Sequence, residues 1–473
     1  MIGISKYFEI SKEEGIEMYV PEDKLSDIAQ VKRLLEYTSL IPGFTEEIRS
    51  NPKEVIKKYG FKLDPVDLSF KDRTKENQFR SEALYPGTRA EEYSKFVNSK
   101  IDMRDGMTAS NVPDNKAMKK WRARQLGRCQ VELGAKSQGL IHAPFTLELS
   151  DGCSVGCEFC GLNAGCLKSV FRYTDENAKL FRDVLTVAKD IIGAKAAGNG
   201  TMYCASEPLD NPDYEKFLAD YKEIFHKIPQ ITTAVATRDI ERTRRLVSEI
   251  KNEDNIIYRF SVLSLDTAKK IFESFTPEEL IYVELLPQYN EAPGNGFVNA
   301  GRQGDNSDEY GDTISCMSGF RVNMCRKELI LVTPTWSSRE HPTGEYILDK
   351  AYFENGEELR EHMLSMIKKH MMNIIPPNEG IKLRQNVRFE NAGDKKLKLI
   401  FKEQMEMILT CNEAFDLYYS VLNKLTEGYK TRHEIITELL AENKKTLMDA
   451  QSIAYVINKF WGLGLVQTQS GII

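Results

Sequence analysis

The sequence has no long apolar run and no strong excess of charge of either sign. No stretch approaches the ~20 consecutive apolar residues of a membrane-spanning helix, and charges are scattered through the amino-terminal sequence, unlike a signal peptide. The 64 Lys and Arg residues against 70 Asp and Glu leave no basic field that would attract nucleic acid. These absences predict a cytoplasmic protein with neither a membrane nor a nucleic-acid partner.

A chain of 473 residues is too long for one compact core, so we expect a large domain with smaller attachments. The sequence predicts a helical amino-terminal segment over residues 1–75. Over 76–143 it predicts a helical linker, or a helical segment that wraps around a larger domain. Over 144–305, short β-rich runs alternate with helices, which predicts an α/β domain whose parallel sheet is either open or closed into a barrel. Residues 306–377 predict an extension with a β-hairpin. Residues 378–473, with three strands and then three helices, predict a winged-helix unit.

Nine cysteines in such a chain do not indicate a disulfide framework, because the number is odd and the cytoplasm is reducing. Cys153, Cys157 and Cys160 lie together in DGCSVGCEFCG, directly after a predicted strand. Three thiolates can hold a 4Fe-4S cluster with one iron left open, whereas an electron-transfer cluster normally has four cysteines. A structural zinc site is the alternative, but zinc motifs usually have two paired-cysteine half-sites, and no second one is present. The spacing therefore favours a cluster with an open iron.

This cysteine loop, with the aromatic Phe159 before its third cysteine, resembles the radical S-adenosylmethionine (AdoMet) superfamily. The resemblance implies a partial (β/α)6 TIM-type barrel, one 4Fe-4S cluster, and AdoMet bound to the open iron. The segment YCASEPL is similar to the family's glycine-glycine-glutamate-proline segment, with Ala205 and Ser206 in place of the glycines. By position, this segment implies that Glu207 holds the amino group of AdoMet.

Two further segments resemble the same superfamily. Arg259 and Ser261 alternate onto one face of a predicted strand, where the resemblance implies contacts to the carboxylate and ribose of AdoMet. A buried arginine at this place would need an anion in any case. The segment 299–302, Asn-Ala-Gly-Arg, also looks like family sequence, and its role is left open.

After its three predicted strands, the carboxyl-terminal unit has TCNEAF (410–415) opening a helix, LTEG (425–428), and a last helix ending in LGLV (463–466). With these segments it resembles the PqqD-type elements that hold the leader of a ribosomally made precursor peptide. Such a leader adds a strand to an exposed sheet edge while its side chains enter a groove beside the last helix. The resemblance therefore implies a precursor peptide as partner, bound by residues 378–473. A plain winged helix used for packing or for DNA is the alternative, and the acidic composition weighs against DNA.

The segments 41–65 and GCSVGCEFCGLNAG are similar to radical AdoMet epimerases that act on proteusin-type peptides. The resemblance implies that selected L-residues are inverted to D by hydrogen abstraction at Cα, with flavodoxin or ferredoxin as an electron donor. An epimerase also needs a hydrogen donor on the opposite face of the α-carbon, and a thiol suits because its S–H bond is weak. Cys316 is the predicted donor, and Cys325, beside the hairpin turn, is the runner-up. Too few cysteines follow Cys316 for a second cluster.

Two other functions stay open. The same cofactor and leader-binding unit could crosslink side chains or excise a backbone fragment, and neither reaction needs a thiol donor. A non-catalytic iron-sulfur protein could carry electrons or act as a scaffold. The open iron and Glu207 argue against that last class.

Overall fold

The computed structural model describes residues 18–65, 67, 87–250, 258–304, 311–442 and 449–471, and these form a mixed α/β protein. The first 17 residues, on which part of the targeting prediction depends, lie outside the described ranges, as does most of 66–86. None of the helices in the described ranges is long and apolar enough to cross a membrane.

Helices precede the sheet, as predicted. They are α1 (Leu25–Leu40), α2 (Phe44–Ser50), α3 (Pro52–Tyr59), α4 (Arg89–Ser110) and α5 (Lys116–Leu133). Local signals set their ends: Pro52 occupies the first turn of α3, and the Asn115 side chain accepts from the amides of Ala117 and Met118 at 3.0 and 3.1 Å to start α5. The sequence predicts a helical piece near 89–99, and helix α4 extends well beyond residue 99.

The short parallel strands lie in two sheets that isolated bridges at Thr201 connect. They are β1 (Ala143–Glu148), β4 (Ile231–Thr233), β5 (Tyr258–Val262) and β6 (Val283–Pro287), with a two-stranded ribbon, β2 (Ser150–Asp151) and β3 (Ser169–Val170), at the base of the cysteine loop. Helices α6 (Asp175–Ile192), α7 (Ala194–Gly198), α8 (Tyr214–Phe225), α9 (Ile240–Ile250) and α10 (Leu265–Ser274) connect them. The strand-helix alternation predicted from the sequence is therefore confirmed.

The β-rich run GTMYCA (200–205) predicts a strand, and this prediction is wrong in extent. Only Thr201 pairs there, in parallel with Thr146 of β1 on one side and with Gln230 on the other. The chain then leaves the sheet, because the amide of Ala205 donates to the carboxylate of Glu148 at 2.7 Å and not to a neighbouring strand.

The predicted hairpin is present as β7 (Met317–Asn323) and β8 (Glu328–Pro334), and β9 (Glu345–Tyr352) follows it. Strand β7 pairs in parallel with β1, so the predicted hairpin belongs to the same sheet as the strand that precedes the cysteine loop. The sequence analysis did not predict β9, an outer strand whose half-exposed residues give a weak apolar pattern. Helix α11 (Gly356–His370) packs behind this part of the sheet.

In the carboxyl-terminal unit, the prediction of three strands is wrong in number. The run IKLRQNVRF divides into β10 (Gly380–Leu383) and β11 (Arg388–Asn391), which lie in different sheets because the chain turns between them at Arg384. Strand β11 pairs with β12 (Lys396–Ile400) and β12 with β13 (Glu406–Thr410), whereas β10 lies between β14 (Lys430–Thr431) and β15 (Val466–Thr468). The three predicted helices are present as α12 (Phe415–Thr426), α13 (Arg432–Glu442) and α14 (Ala450–Gly462).

Candidate active site in the cysteine-lined cavity

A cavity of about 410 Å³ opens beside the cysteine loop and reaches across β1, β5 and β6 to the start of β7. Most of the site residues predicted from the sequence line this one cavity. They are Cys153, Cys157, Phe159, Cys160, Ser206, Glu207, Arg259, Ser261 and Cys316. The fold thus brings together residues that are spread over more than 160 positions of the chain.

Two predicted residues do not line the cavity. Ala205 directs its amide to Glu148, as described above. Cys325, the runner-up hydrogen donor, lies beyond β7, where its thiol is 3.6 Å from the carbonyl of Leu149 and 3.8 Å from that of Ser169. The hairpin turn points this thiol toward the β2–β3 ribbon.

The cysteine loop is closed on itself by backbone contacts. The amide of Cys153 donates to the carbonyl of Gly165 at 2.9 Å, and the backbone at Cys166 passes so close to Gly152 that a Cβ there would lie 2.1 Å from the Cys166 carbonyl oxygen. Gly152 also has a φ of +89°, which a side chain would disfavour. The sulfur of Cys160 accepts from the amide of Ala164 at 3.3 Å, a contact that suits a thiolate.

The three thiols lie close enough to affect one another. Burial, together with the neighbouring thiols of Cys153 and Cys160, raises the pKa of Cys157 to about 11. Burial also raises the pKa of Cys153. Such thiols become thiolates when a bound metal supplies the compensating positive charge.

No three His, Cys, Asp or Glu side chains of the described residues converge on the position of one metal ion. A cubane cluster does not require that convergence, because each thiolate binds a different iron. Three thiols on one wall of a cavity, with an amide directed at one sulfur, fit a cluster held by three cysteines.

Glu207 is buried, and its carboxylate accepts three hydrogen bonds from uncharged groups. Oε1 accepts from Thr233 Oγ1 at 2.6 Å and from the amide of Leu209 at 3.1 Å, and Oε2 accepts from the amide of Ala234 at 2.8 Å. Burial raises the pKa of Glu207, and these three donors oppose the rise. A ligand ammonium group beside this carboxylate would stabilise its charged form.

Arg259 is half-buried and has a protein anion as its partner. Its Nε donates to Oε2 of Glu284 on the adjacent strand at 3.1 Å, and Lys100 Nζ donates to the other Glu284 oxygen at 2.6 Å. Burial would raise the pKa of Glu284, but Lys100 and Arg259 lower it to about 2. Because Arg259 and Lys100 share the one carboxylate of Glu284, the three side chains together carry a net positive charge, and Arg259 lies at the cavity. Ser261 lies at the cavity too, two residues along the same face of the strand.

Cys316 is exposed to the cavity and precedes β7, with its carbonyl accepting from the amide of Ala143 at 3.0 Å. Burial among protein atoms raises the pKa of its thiol, and Arg259 opposes the rise. The thiol therefore stays protonated at neutral pH, the form that a hydrogen-atom donor needs.

A second thiol, Cys204, also lines the cavity, although no role was predicted for it from the sequence. Its sulfur accepts from Nη1 of Arg321 at 3.3 Å, and Arg321 is held by Glu345 at 3.0 Å. Burial raises the pKa of Cys204 to about 12 although Arg321 opposes this. Its place in the segment YCASEPL, directly before Ala205, was the sequence signal that could have identified it as a cavity residue.

Two hydroxyl groups of the cavity wall have no protein partner within the described ranges. They are Thr232 Oγ1 and Ser315 Oγ, both buried atoms. Buried polar atoms are normally hydrogen-bonded, so these two are available to a bound ligand. With Glu207 and Arg259, they give the cavity polar groups for a zwitterionic ligand such as AdoMet.

Comparison with protein-family models matches none of them. The uncharacterized protein y4wI of Sinorhizobium fredii (strain NBRC 101917 / NGR234) is 32% identical over 466 residues, which cover 94% of this chain and 88% of that protein. This chain belongs to the same family as y4wI. A crystal structure of BtrN in complex with AdoMet and 2-DOIA superposes with a TM-score of 0.31 and 13% identity, over 48% of this chain and 81% of BtrN. A similarity of that size does not establish a common fold.

Proposed function

We propose that this protein is a radical AdoMet enzyme that epimerises residues of a ribosomal precursor peptide from L to D. One observation carries the proposal. The three cysteines of the CxxxCxxC loop line the same cavity as Glu207, Arg259 and Ser261, and a protonated thiol lines it as well.

In this proposal Cys153, Cys157 and Cys160 hold a 4Fe-4S cluster. When bound beside it and given one electron from an external reductant through the cluster, AdoMet would supply a 5′-deoxyadenosyl radical able to abstract an unactivated hydrogen. Glu207 binds the ammonium group of AdoMet, Arg259 binds its carboxylate, and Ser261 contacts its ribose. The parallel strands around the cavity would then be the partial barrel that the resemblance implies.

The Cys316 thiol completes the inversion. After a hydrogen atom has left the α-carbon of the peptide, the S–H bond of Cys316 breaks homolytically and its hydrogen atom forms the new Cα–H bond on the opposite face. The sulfur is left one electron and one proton short. An external reductant such as a flavodoxin or ferredoxin supplies the electron, and water supplies the proton.

The carboxyl-terminal unit would hold the leader of the precursor. Strand β11 is hydrogen-bonded to β12 on one side, and an aromatic patch of Phe389, Phe415 and Tyr419 lies beside it. The ring of Tyr419 is 5.5 Å from that of Phe389 and 5.8 Å from that of Phe415, centroid to centroid. An extended leader could pair with β11 and place apolar side chains on this patch. Two of the three rings of the patch belong to α12 and Phe389 belongs to β11, whereas the groove expected from the sequence lies beside the last helix.

Reaction in heavy water tests the proposal. A thiol exchanges its proton with solvent, so each inverted residue should carry one deuterium on its α-carbon, with no other change in mass. D-residues without deuterium would exclude the thiol donor. Loss of two hydrogens would indicate crosslinking, loss of a fragment would indicate excision, and failure to release 5′-deoxyadenosine from AdoMet would indicate a non-catalytic iron-sulfur protein.

A further inference from the structure

A short turn after β6 packs tightly against the cysteine loop. This turn is the 3₁₀ segment Gly301–Gln303. Gly301 has a φ of +62°, and a Cβ at this position would lie 2.3 Å from the carbonyl oxygen of Gly161 and 2.4 Å from that of Cys160. A glycine is therefore required for the close approach.

Arg302 makes three hydrogen bonds to the same loop. Its amide donates to the carbonyl of Cys160 at 3.0 Å, its Nη1 donates to the carbonyl of Cys157 at 2.5 Å, and its Nη2 donates to the carbonyl of Ala164. Ala164 is the residue whose own amide donates to the Cys160 sulfur. One arginine therefore joins both sides of the loop portion that carries Cys157 and Cys160.

The turn itself is anchored. The amide of Gly301 donates to the carbonyl of Pro342 at 2.7 Å, in the connection between β8 and β9. Four residues before the turn, Phe297 stacks on Phe159 of the cysteine loop with ring centroids 4.0 Å apart. Arg302 thus reaches the loop from a fixed position.

A different set of residues holds the first part of the loop. Asp210 accepts from the amide of Ser154 at 2.9 Å, and Arg238 donates to Asp210 at 2.9 Å. Arg302 acts on Cys157 and Cys160, and its removal leaves the contacts at Cys153 and Ser154 in place.

We propose that Arg302 is a positioning residue for the metal centre. Its guanidinium fixes the carbonyls of Cys157 and Ala164, so that the thiols of Cys157 and Cys160 keep the spacing that a cluster needs. Its positive charge also lies beside a centre that three thiolates make anionic, and charge near a cluster helps to set its potential. The inference rests on the proposed function for the identity of the metal centre.

The test compares Arg302→Met and Arg302→Lys with the matched control Arg244→Met. Arg244 is a partly exposed arginine that, like Arg302, donates to several protein oxygens, here two carboxylates and a carbonyl, but it lies on α9. In cluster-free protein, amide hydrogen exchange over 157–166 should quicken in Arg302→Met and stay unchanged in Arg244→Met. Thermal unfolding of the cluster-free proteins checks that all variants fold.

In reconstituted protein, loss of two hydrogen bonds should let a chelator remove iron roughly tenfold faster from Arg302→Met than from wild type. Arg302→Lys should lie between them, because an ammonium group is a compact charge without the planar fork of a guanidinium. The reduction potential of the cluster should fall in Arg302→Met and fall less in Arg302→Lys, which keeps the charge.

Equal loop exchange and equal iron release in Arg302→Met and Arg244→Met would overturn the proposal. These readouts are separate from turnover. A wild-type protein that loads a cluster but releases no 5′-deoxyadenosine would contradict the proposed function and leave the role of Arg302 standing. A wild-type protein that takes up no iron would overturn both.

Discussion

Arg384 of the carboxyl-terminal unit and Glu132 of α5 form a buried ion pair, with Nη1 2.8 Å from Oε1. The other Glu132 oxygen pairs with Arg128, which donates to Thr333 Oγ1 on β8 at 3.1 Å. From there, hydroxyl contacts continue to Ser318, two residues after Cys316. A continuous polar network therefore links the unit proposed to bind the leader with the strand that begins at the cavity.

Replacing Glu132 with Gln should strongly destabilise the protein. Glu132 is a buried carboxylate between two guanidinium groups, so the substitution leaves two buried cations without their anion. Breaking a buried pair in this way typically costs about 3–5 kcal/mol in the free energy of unfolding. Chemical denaturation of the variant measures the loss.

The control for this substitution is Glu413→Gln. Glu413 pairs with Lys395 at the surface, where both side chains are mostly exposed. An exposed pair contributes about 0–1 kcal/mol, so this variant should unfold close to wild type. Equal effects of the two substitutions would show that the buried network does not stabilise the protein.

Replacing Cys153, Cys157 or Cys160 with Ala should abolish iron binding and AdoMet cleavage. Each of these thiols lines the cavity and would hold one iron of the cluster. Cys166→Ala is the matched control, since Cys166 belongs to the same loop but is exposed and is not among the cavity-lining residues. Wild-type protein should contain about four irons and four sulfides.

Iron and zinc analysis of the four variants decides the ligand set. In wild-type protein, one zinc per chain, or close to eight irons per chain, would contradict a single 4Fe-4S cluster. Loss of iron in Cys166→Ala to the same degree as in the other three would mean that the loop needs four cysteines.

The thiol donor can be identified with three cysteine variants. In Cys316→Ala, 5′-deoxyadenosine should still form because the cluster cysteines and Glu207 are untouched, but D-residues should fall to near zero. Cys325→Ala should epimerise normally, because its thiol lies outside the cavity. Amino-acid analysis of the product peptide after acid hydrolysis in deuterated acid distinguishes D-residues made by the enzyme from those made by hydrolysis.

Cys204→Ala is the decisive companion variant. Both Cys204 and Cys316 line the cavity as protonated thiols. If Cys204→Ala loses epimerisation while Cys316→Ala keeps it, the donor is Cys204 and the proposed reaction stands. If both variants epimerise normally, neither thiol returns the hydrogen.

Leader binding should depend on the aromatic patch beside β11. Tyr419→Ser removes a partly exposed ring from this patch and should weaken binding of a fluorescent leader peptide roughly tenfold. Tyr429→Ser is the control, because this ring is similarly exposed but lies against Lys382 at the other sheet of the unit. AdoMet cleavage without peptide should be unchanged in both.

A point substitution is preferable here to deleting the unit. Trp461 of α14 packs under the guanidinium of Arg124 at 4.3 Å, and Arg384 neutralises Glu132, so deletion would uncover α5. Equal leader affinity in the two tyrosine variants would place the leader somewhere other than the β11 edge.

Local signals in the sequence predicted most helices and the contents of the cysteine loop. Pro52 and Asn115 start helices through contacts within one turn, and three cysteines within eight residues need no distant partner to suggest a metal centre. The alternation of strands and helices between 144 and 287 follows from buried strands separated by amphipathic helices, which are also local patterns.

Only the tertiary structure decided which distant residues meet at the cavity. Cys325 was the runner-up donor from the sequence and Cys204 had no assigned role, yet Cys204 lines the cavity and the Cys325 thiol lies against the carbonyl of Leu149. The contact of Arg302 with Cys157 joins positions 145 residues apart, and Arg384 pairs with a carboxylate 252 residues away. Such long-range contacts produce no periodic pattern or fixed spacing in the sequence. The sequence by itself therefore determined which reactive side chains the protein has, and the fold determined where they lie.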